Sequence, residues 1–198
     1  MTRAALEKSD YDWQELAQSN EASAREGVFE SDFAQEARRF VAEAHRNIEQ
    51  ELCVVTADAK KSADAFWNIN EAMREEGGKE NQGYFGTRVR IWNNALEATW
   101  YINRFVEDGR TRGKKKVLST YLKKGEGTRY PKGAFKTAKD WEREAIEMVE
   151  DRYELLRKRS AVLSKLRRNL AEYARLLEKS YEVDSQNRAG KETEKGEA

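Results

Sequence analysis

Arginines alternate with apolar residues in the stretch GTRVRIWNNALEATWYINRF, which runs from Gly86 to Phe105. Arg88 and Arg90 are two residues apart, and side chains at that spacing in a β-strand project from one face about 7 Å from each other. An arginine fork binds guanine in the DNA major groove through two hydrogen bonds, and a β-ribbon fits that groove. The spacing therefore predicts a strand that binds DNA.

More cations and two aromatic residues extend this candidate site. Trp92 and Tyr101 can stack on bases or shield the strand backbone. Phosphate contacts, which provide affinity rather than sequence choice, are predicted for Arg110, Arg112, Lys114, Lys115, Lys116, Lys123, Lys124, Arg129 and Lys132. The alternative is an ordinary sheet surface with cross-strand pairs such as Arg90 with Glu97.

The charge distribution singles out the same part of the chain. Residues 84–139 contain 14 Lys or Arg and 4 Asp or Glu, a net charge of +10, whereas residues 1–83 and 140–198 carry −8 and −1. The overall charge of +1 hides this segment. Such a segment indicates a polyanionic partner, and the alternative is a solvated Lys/Arg surface.

Residues that could support catalysis are few. The chain has one histidine, His45, and one cysteine, Cys53, which together cannot assemble a zinc site, and it has no glycine-rich phosphate loop. We interpret the helical carboxylates near arginines as solvated ion pairs; these are Glu142, Glu144, Glu147 and Glu150. We expect no enzyme activity, no metal and no cofactor.

The strand that carries the two arginines is predicted to belong to a β-hairpin. Asn93 and Asn94 suit a type I′ turn, because asparagine tolerates positive φ. With that turn the apolar face holds four facing pairs, which are Ile91 with Leu96, Val89 with Ala98, Thr87 with Trp100, and Phe85 with Ile102. The opposite face holds Arg90 with Glu97 and Arg88 with Thr99. A third strand is predicted within Lys116–Lys124, with uncertain facing.

Two long helices must position this sheet. Apolar residues recur at steps of three and four over residues 29–76. The β-branched run CVVT from Cys53 to Thr56 could divide this helix, but one helix with a possible kink is favoured. Residues 137–182 carry an unbroken heptad position, formed by Val149, Leu156, Leu163, Leu170 and Leu177. This pattern is typical of a coiled-coil-like helix.

These elements predict an α+β fold that is mainly α, with two long antiparallel coiled-coil-like helices and a small three-stranded antiparallel sheet between them. Residues 1–28 form an N-terminal extension with a short helix, 83–135 the basic sheet segment, and 183–198 a disordered tail. The alternative is that the last helix pairs with its copy in a parallel homodimer. Intramolecular pairing is favoured because the first long helix needs a partner for its own apolar stripe.

The location follows from what the sequence lacks. No apolar run approaches the ~20 residues needed to span a bilayer, and the N-terminus has no signal-peptide core. We therefore expect a cytoplasmic protein with no membrane contact.

Three stretches resemble the MobI-type conjugative transfer proteins, which are accessory proteins of integrative and conjugative elements and related plasmids. The stretches are GYFGTRVRIWNNALEATWY, YLKKGEGTRYPKGAF and DWEREAIEMVEDRYELLRKR. Within them, Lys124-Gly125 with Tyr130, and Trp141-Glu142 opening a charged helix, carry the likeness, which spans residues 83–175. The resemblance implies a protein that helps a separate relaxase act at the origin of transfer.

Charge, hairpin and resemblance together favour a DNA-binding accessory protein whose partners are double-stranded DNA and a relaxase or other transfer protein. The first alternative is a coiled-coil adaptor that binds proteins and makes no direct DNA contact. A nuclease or strand-transfer enzyme is the second alternative.

Overall fold

A computed structural model describes the backbone of residues 11–107 and 115–195, and the side chains of residues 11–106 and 116–181. The elements in chain order are α1 (Trp13–Gln18), α2 (Glu30–Gly77), β1 (Phe85–Trp92), β2 (Ala95–Glu107), β3 (Lys115–Tyr121) and α3 (Asp140–Lys195). Short 3₁₀ turns lie at Ala22–Arg25 and Lys132–Phe135. The predicted mainly α, α+β fold with an antiparallel three-stranded sheet is confirmed.

The long helix α2 is unbroken, so the β-branched run at 53–56 does not divide it. Val55 and Thr56 are buried, and the Thr56 hydroxyl donates to the Leu52 carbonyl at 2.8 Å. Burial of Val55 and Thr56 offsets their weak helix propensity, and the hydrogen bond satisfies the buried Thr56 hydroxyl. The helix is therefore continuous through residues 53–56.

The last helix, α3, is longer than predicted. It begins at Asp140 rather than at 137 and continues to Lys195 rather than to 182. Residues 183–195, which composition predicted to belong to a disordered tail, are therefore helical. Seven of these thirteen residues are good helix formers, and the helix also passes through Gly190.

The β1–β2 hairpin has the predicted turn and the predicted register. Asn93 and Asn94 have φ values of 49° and 56°, as a type I′ turn requires. All the predicted strand pairs form. Because each strand residue alternates between faces, the register puts Arg88 and Arg90 on the face opposite to the buried Trp100.

The pairing of β3 with β2 shows which face of the sheet each β3 residue occupies, which the sequence left uncertain. β3 pairs with β2 in antiparallel register, with Tyr121 opposite Tyr101 and Val117 opposite Phe105. Tyr121 and Val117 therefore share the face of Arg88, and Leu118 and Thr120 lie on the other face. The next residue, Leu122, donates its N–H to the Trp100 carbonyl at 2.9 Å and packs against the core.

The chain divides into two compact units. Residues 49–165 contain the sheet, and its apolar face packs against α2 and α3 in one core; the buried residues of that core include Phe66, Phe85, Trp100, Ile146, Tyr153 and Leu156. Arg152 pairs with Asp58, and Arg159 pairs with Glu51, so α2 and α3 are antiparallel within this unit.

The second unit combines the first part of α2 with the last part of α3. The rings of Phe40 and Tyr173 meet edge-on with centroids 5.9 Å apart. Arg38 donates two hydrogen bonds to Glu178, at 2.8 and 2.7 Å. These contacts also make the two helix segments antiparallel.

Candidate nucleic-acid interface

The candidate interface is the face of the sheet that points away from the core, here called the outer sheet face. Its members follow from strand parity and pairing, and are Arg88, Arg90, Trp92, Glu97, Thr99, Tyr101, Asn103, Phe105, Val117, Ser119 and Tyr121. The opposite face packs against α2 and α3 and forms hydrogen bonds to α3, so the outer sheet face is the one exposed to solvent.

Buried hydrogen bonds to α3 fix the sheet in this orientation. The Thr87 hydroxyl lies 3.0 Å from the Tyr153 hydroxyl, and the Trp100 indole donates to Glu150 at 2.7 Å. Burial raises the pKa of Tyr153, so its hydroxyl stays protonated. Near the turn, the Leu96 N–H donates to the Ser160 hydroxyl at 2.8 Å.

Arg90 is engaged within the molecule. Its guanidinium pairs with Glu97 across the hairpin and lies over the Trp92 ring, 4.4 Å from the centroid. The hydrogen bond to Glu97 is the main cause that raises the pKa of Arg90. The cross-strand pair that sequence analysis weighed as an alternative therefore forms, and it neutralises Arg90.

Arg88 is exposed and keeps its charge available. It donates one hydrogen bond to the Tyr121 hydroxyl at 3.1 Å, and no acidic side chain of the described residues pairs with it. A phenol hydroxyl does not neutralise a guanidinium, so Arg88 is the available arginine of the two that the spacing singled out.

The aromatic residues of the outer sheet face differ in exposure. Trp92 is 54% exposed, whereas Tyr101 is half-buried because its ring lies across Gly86. A side chain at Gly86 would meet the Tyr101 ring at 2.4 Å, so Tyr101 shields the backbone of the edge strand. Burial is the main cause that raises the pKa of Tyr101, and the neighbouring Tyr121 raises it further, whereas the charge of Arg88 lowers it.

Sequence analysis missed two exposed rings on the same face. Tyr121 is 50% exposed and Phe105 is 42% exposed. The Tyr101 and Tyr121 rings meet edge-on with centroids 5.7 Å apart. For Tyr121 the signal was hidden, because both parities of β3 carry apolar residues and only the pairing of β3 with β2 shows which side Tyr121 occupies. For Phe105 the signal was present, because it shares the parity of Tyr101 in β2.

The cations predicted to contact phosphates do not form one free cluster. Arg129 pairs with Asp151 and Glu154 of α3, and Lys132 lies 3.0 Å from Glu147. Lys124 is half-buried and donates to the Gly127 carbonyl. Burial, then the charge of Arg157, lowers the Lys124 pKa, while Glu150 acts in the opposite direction.

Two of the predicted phosphate-binding lysines are exposed without an acidic partner among the described side chains. Lys116 lies in β3, on the parity opposite to Tyr121, and Lys123 follows β3 by two residues. The side chain of Lys115, and Arg110, Arg112 and Lys114 as whole residues, lie outside the part of the chain that the structure describes. Those four stay predictions.

The interpretation of the helical glutamates was wrong for two of the four. Glu142 and Glu150 are buried, and each accepts backbone hydrogen bonds from outside α3. One Glu142 oxygen accepts from the N–H groups of Tyr84 and Phe85 at 2.7 and 3.0 Å, which anchors the start of β1 to the start of α3. These carboxylates hold the sheet rather than face solvent.

Two other kinds of feature, a metal site and a membrane-spanning helix, are absent from the described residues. No group of three or more His, Cys, Asp or Glu side chains among them could hold a metal ion. Across the same residues, no helix combines the length and the apolar character that crossing a membrane would take.

The fold and the candidate site define an α+β protein in which paired helices support a small sheet with exposed arginine, lysine and aromatic side chains. A family model described as "MobI protein" matches residues 55–171, and the chain belongs to this family. Membership indicates an accessory role in conjugative transfer. The match also includes the later part of α2, which the resemblance over 83–175 did not reach.

Comparison with curated proteins and with solved structures found no match.

Proposed function

We propose that this protein is a cytoplasmic DNA-binding accessory factor that assists a relaxase at the origin of transfer, and that the outer sheet face contacts the DNA. The observation that carries the proposal is the exposed, unneutralised Arg88 on a sheet face within a segment of net charge +10. Membership of a conjugative transfer family supports the proposal, because conjugative transfer acts on DNA.

The proposed contacts divide by chemistry. Arg88 projects from the outer sheet face and can donate to a base edge or to a phosphate, and the exposed Lys123, two residues after β3, suits a phosphate. Lys116 lies on the opposite face of β3, so we assign it no contact with DNA on the outer sheet face. Arg129 and Lys132, which sequence analysis included, already have carboxylate partners and would have to give them up. We therefore assign them no part in the interface.

A mobility-shift titration over a salt series tests the DNA contact. The probe is a duplex from the origin of transfer of the element that encodes the protein, and the comparison is an unrelated duplex of equal length. We expect affinity to fall steeply as salt rises, because phosphate binding releases counterions. Arg88→Ala and Lys123→Ala should each weaken binding, and Lys123→Ala should reduce the slope of log affinity against log salt by about 1.

Arg129→Ala is the matched control, because Arg129 is a cation of the same segment that Asp151 and Glu154 already neutralise. It should leave DNA affinity nearly unchanged. Failure to shift duplex and single-stranded DNA alike at low salt, or equal losses for Arg88→Ala and Arg129→Ala, would contradict the proposal.

The assistance given to a relaxase needs a cellular test. A donor strain that lacks the gene is complemented with the unchanged protein, Arg88→Ala or Arg129→Ala, and transfer frequency and nicking at the origin are measured. We expect Arg88→Ala to lower both, and Arg129→Ala to restore both. If the Arg88→Ala variant, at the same protein level, restored the full transfer frequency, the proposed role of the outer sheet face in transfer would be wrong.

A second candidate function, that of a protein-binding adaptor, has one observation in its favour. Met148, Leu155 and Val162 are exposed and lie seven residues apart on α3, so they form an apolar stripe on one side of the helix. Capture of the relaxase that is lost in Leu155→Lys, with no DNA shift at any salt concentration, would favour this adaptor over the DNA-binding protein.

A further inference from the structure

We infer that the outer sheet face binds unpaired DNA, with bases stacked on Trp92, Tyr121 and Phe105. The inference rests on the proposed DNA-binding function and narrows it to single strands. It replaces the duplex major-groove contact that the arginine spacing alone predicted.

The first step concerns the arginines. Binding of guanine in a duplex requires a guanidinium whose N–H groups are free to form two parallel hydrogen bonds. The Nε of Arg90 is bonded to Glu97, and its guanidinium is stacked on Trp92. The outer sheet face therefore offers one arginine without a carboxylate partner, Arg88, which donates only to the Tyr121 hydroxyl, rather than the pair of free guanidinium groups that the spacing suggested.

The second step concerns the aromatic rings. Trp92, Phe105 and Tyr121 come from three different strands, and each residue is between two-fifths and just over half exposed on the outer sheet face. The Arg90 guanidinium covers one side of the Trp92 ring, so a base would stack on the other side. Exposed rings of this kind stack on the faces of nucleic-acid bases, whatever the base. In a duplex those faces are covered by neighbouring base pairs, so the rings would have nothing to stack on.

The third step concerns spacing. Tyr121 pairs with Tyr101, which pairs with Gly86, and Trp92 lies six residues along β1 from Gly86, or about 20 Å at strand rise. Arg88 lies between them on the same face. The path from Trp92 past Arg88 to Tyr121 is long enough for several nucleotides of an extended single strand, with the guanidinium placed to meet a phosphate.

The charge agrees with this occupant. Arg88 is un-neutralised, and Lys123 follows Tyr121 by two residues, so cations border the exposed rings. An apolar protein segment would gain little from these cations. A single-stranded polyanion can use the cations and the rings together.

The test measures fluorescence anisotropy of a labelled 20-nucleotide oligo-dT strand and of the same strand annealed to oligo-dA, with the full-length protein at low salt. We expect the single strand to bind at least 10-fold more tightly. Trp92→Ala and Tyr121→Ala should each weaken single-strand binding by about 5- to 100-fold. Both should leave the salt slope unchanged, because neither residue carries a charge.

Two control variants separate stacking from folding and from general loss of aromatic surface. Tyr121→Phe keeps the ring and should retain the affinity for the single strand, although it loses the hydroxyl that Arg88 contacts. Phe29→Ala removes an exposed ring that lies outside the sheet and should have no effect. Circular dichroism of each variant verifies that it is folded.

The outcomes distinguish the two proposals. Failure of both probes to bind overturns DNA binding itself and this inference with it. Duplex binding that equals or exceeds single-strand binding, or equal losses for Tyr121→Ala and Tyr121→Phe, overturns the inference and leaves the proposed DNA-binding function in place.

Discussion

The carboxylate of Glu150 lies 2.7 Å from the guanidinium of Arg157, and both side chains are buried. Arg157 also donates to the Ala98 carbonyl of β2 at 2.8 Å and to the Thr128 carbonyl at 2.7 Å. Glu150 accepts from the Trp100 indole and from the Tyr130 N–H, at 2.7 and 2.8 Å. One ion pair on α3 thus satisfies polar groups of the sheet and of the loop that follows it.

Replacement of Glu150 by alanine is expected to destabilise the protein by about 3–5 kcal/mol. The substitution leaves the Arg157 charge buried without its counter-ion and removes the acceptor of two N–H groups. Urea unfolding, followed by circular dichroism, measures the change in the free energy of unfolding.

The control for this prediction is Glu147→Ala. Glu147 lies on α3, as Glu150 does, and its substitution breaks an exposed ion pair with Lys132. Its effect should stay below about 1 kcal/mol, because solvent screens exposed pairs. Equal effects of the two substitutions would show that the buried network is not the main support of the sheet.

Ser160→Ala is expected to loosen the hairpin beside its turn. The substitution removes the hydroxyl that accepts the Leu96 N–H, and an unpaired buried donor costs about 1–3 kcal/mol. Amide hydrogen exchange should show faster exchange at Leu96. Ser164→Ala is the control, because the Ser164 hydroxyl bonds only to the Ser160 carbonyl within the helix, and protection of Leu96 should then be unchanged.

Gly83→Ala is expected to destabilise the junction between α2, β1 and α3. A Cβ atom there would lie 2.5 Å from the Glu142 carboxylate, 2.7 Å from the Asn70 amide nitrogen and 2.9 Å from the Trp141 ring. Overpacking of this kind costs about 1–3 kcal/mol. Thermal unfolding measures the loss. Gly127→Ala, whose Cβ has no neighbour closer than 3.7 Å, should change stability by no more than about 0.5 kcal/mol.

Asn94→Gly is expected to stabilise the protein slightly. Asn94 has a φ of 56°, and glycine adopts this region without the steric cost that other residues bear. The same substitution at Asn169, which is exposed within α3, should lower stability because glycine is a poor helix former. Melting temperatures of the two variants should therefore move in opposite directions, and a loss at Asn94 would contradict the turn assignment.

Local features of the chain were predictable because their causes lie close together in sequence. Asn93-Asn94 with alternating apolar residues on either side specifies one hairpin register, since a slip of one residue would turn the apolar face to water. The heptad of α3 likewise predicts its buried side, where Val149, Leu156 and Leu177 lie. The facing of β3 could not be predicted from alternation, because apolar residues occupy both parities of that strand.

The candidate site was predicted in part, because a charge count does not show which charges are already paired. Arg88 is exposed as expected, but Arg129 is neutralised by carboxylates 22 and 25 residues away on α3. Tyr121 became a site candidate only when β3 was placed beside β2. Each of these facts depends on contacts between separate segments.

The sequence by itself determined the class of fold, the hairpin with its register, and the concentration of positive charge in residues 84–139. The tertiary structure decided which cations stay free and which glutamates are buried, because desolvation and ion pairing depend on what packs against a side chain. Glu142 and Glu150 look like surface carboxylates in the helix pattern of α3. Packing of the sheet against that helix made them the buried acceptors that hold the outer sheet face in place.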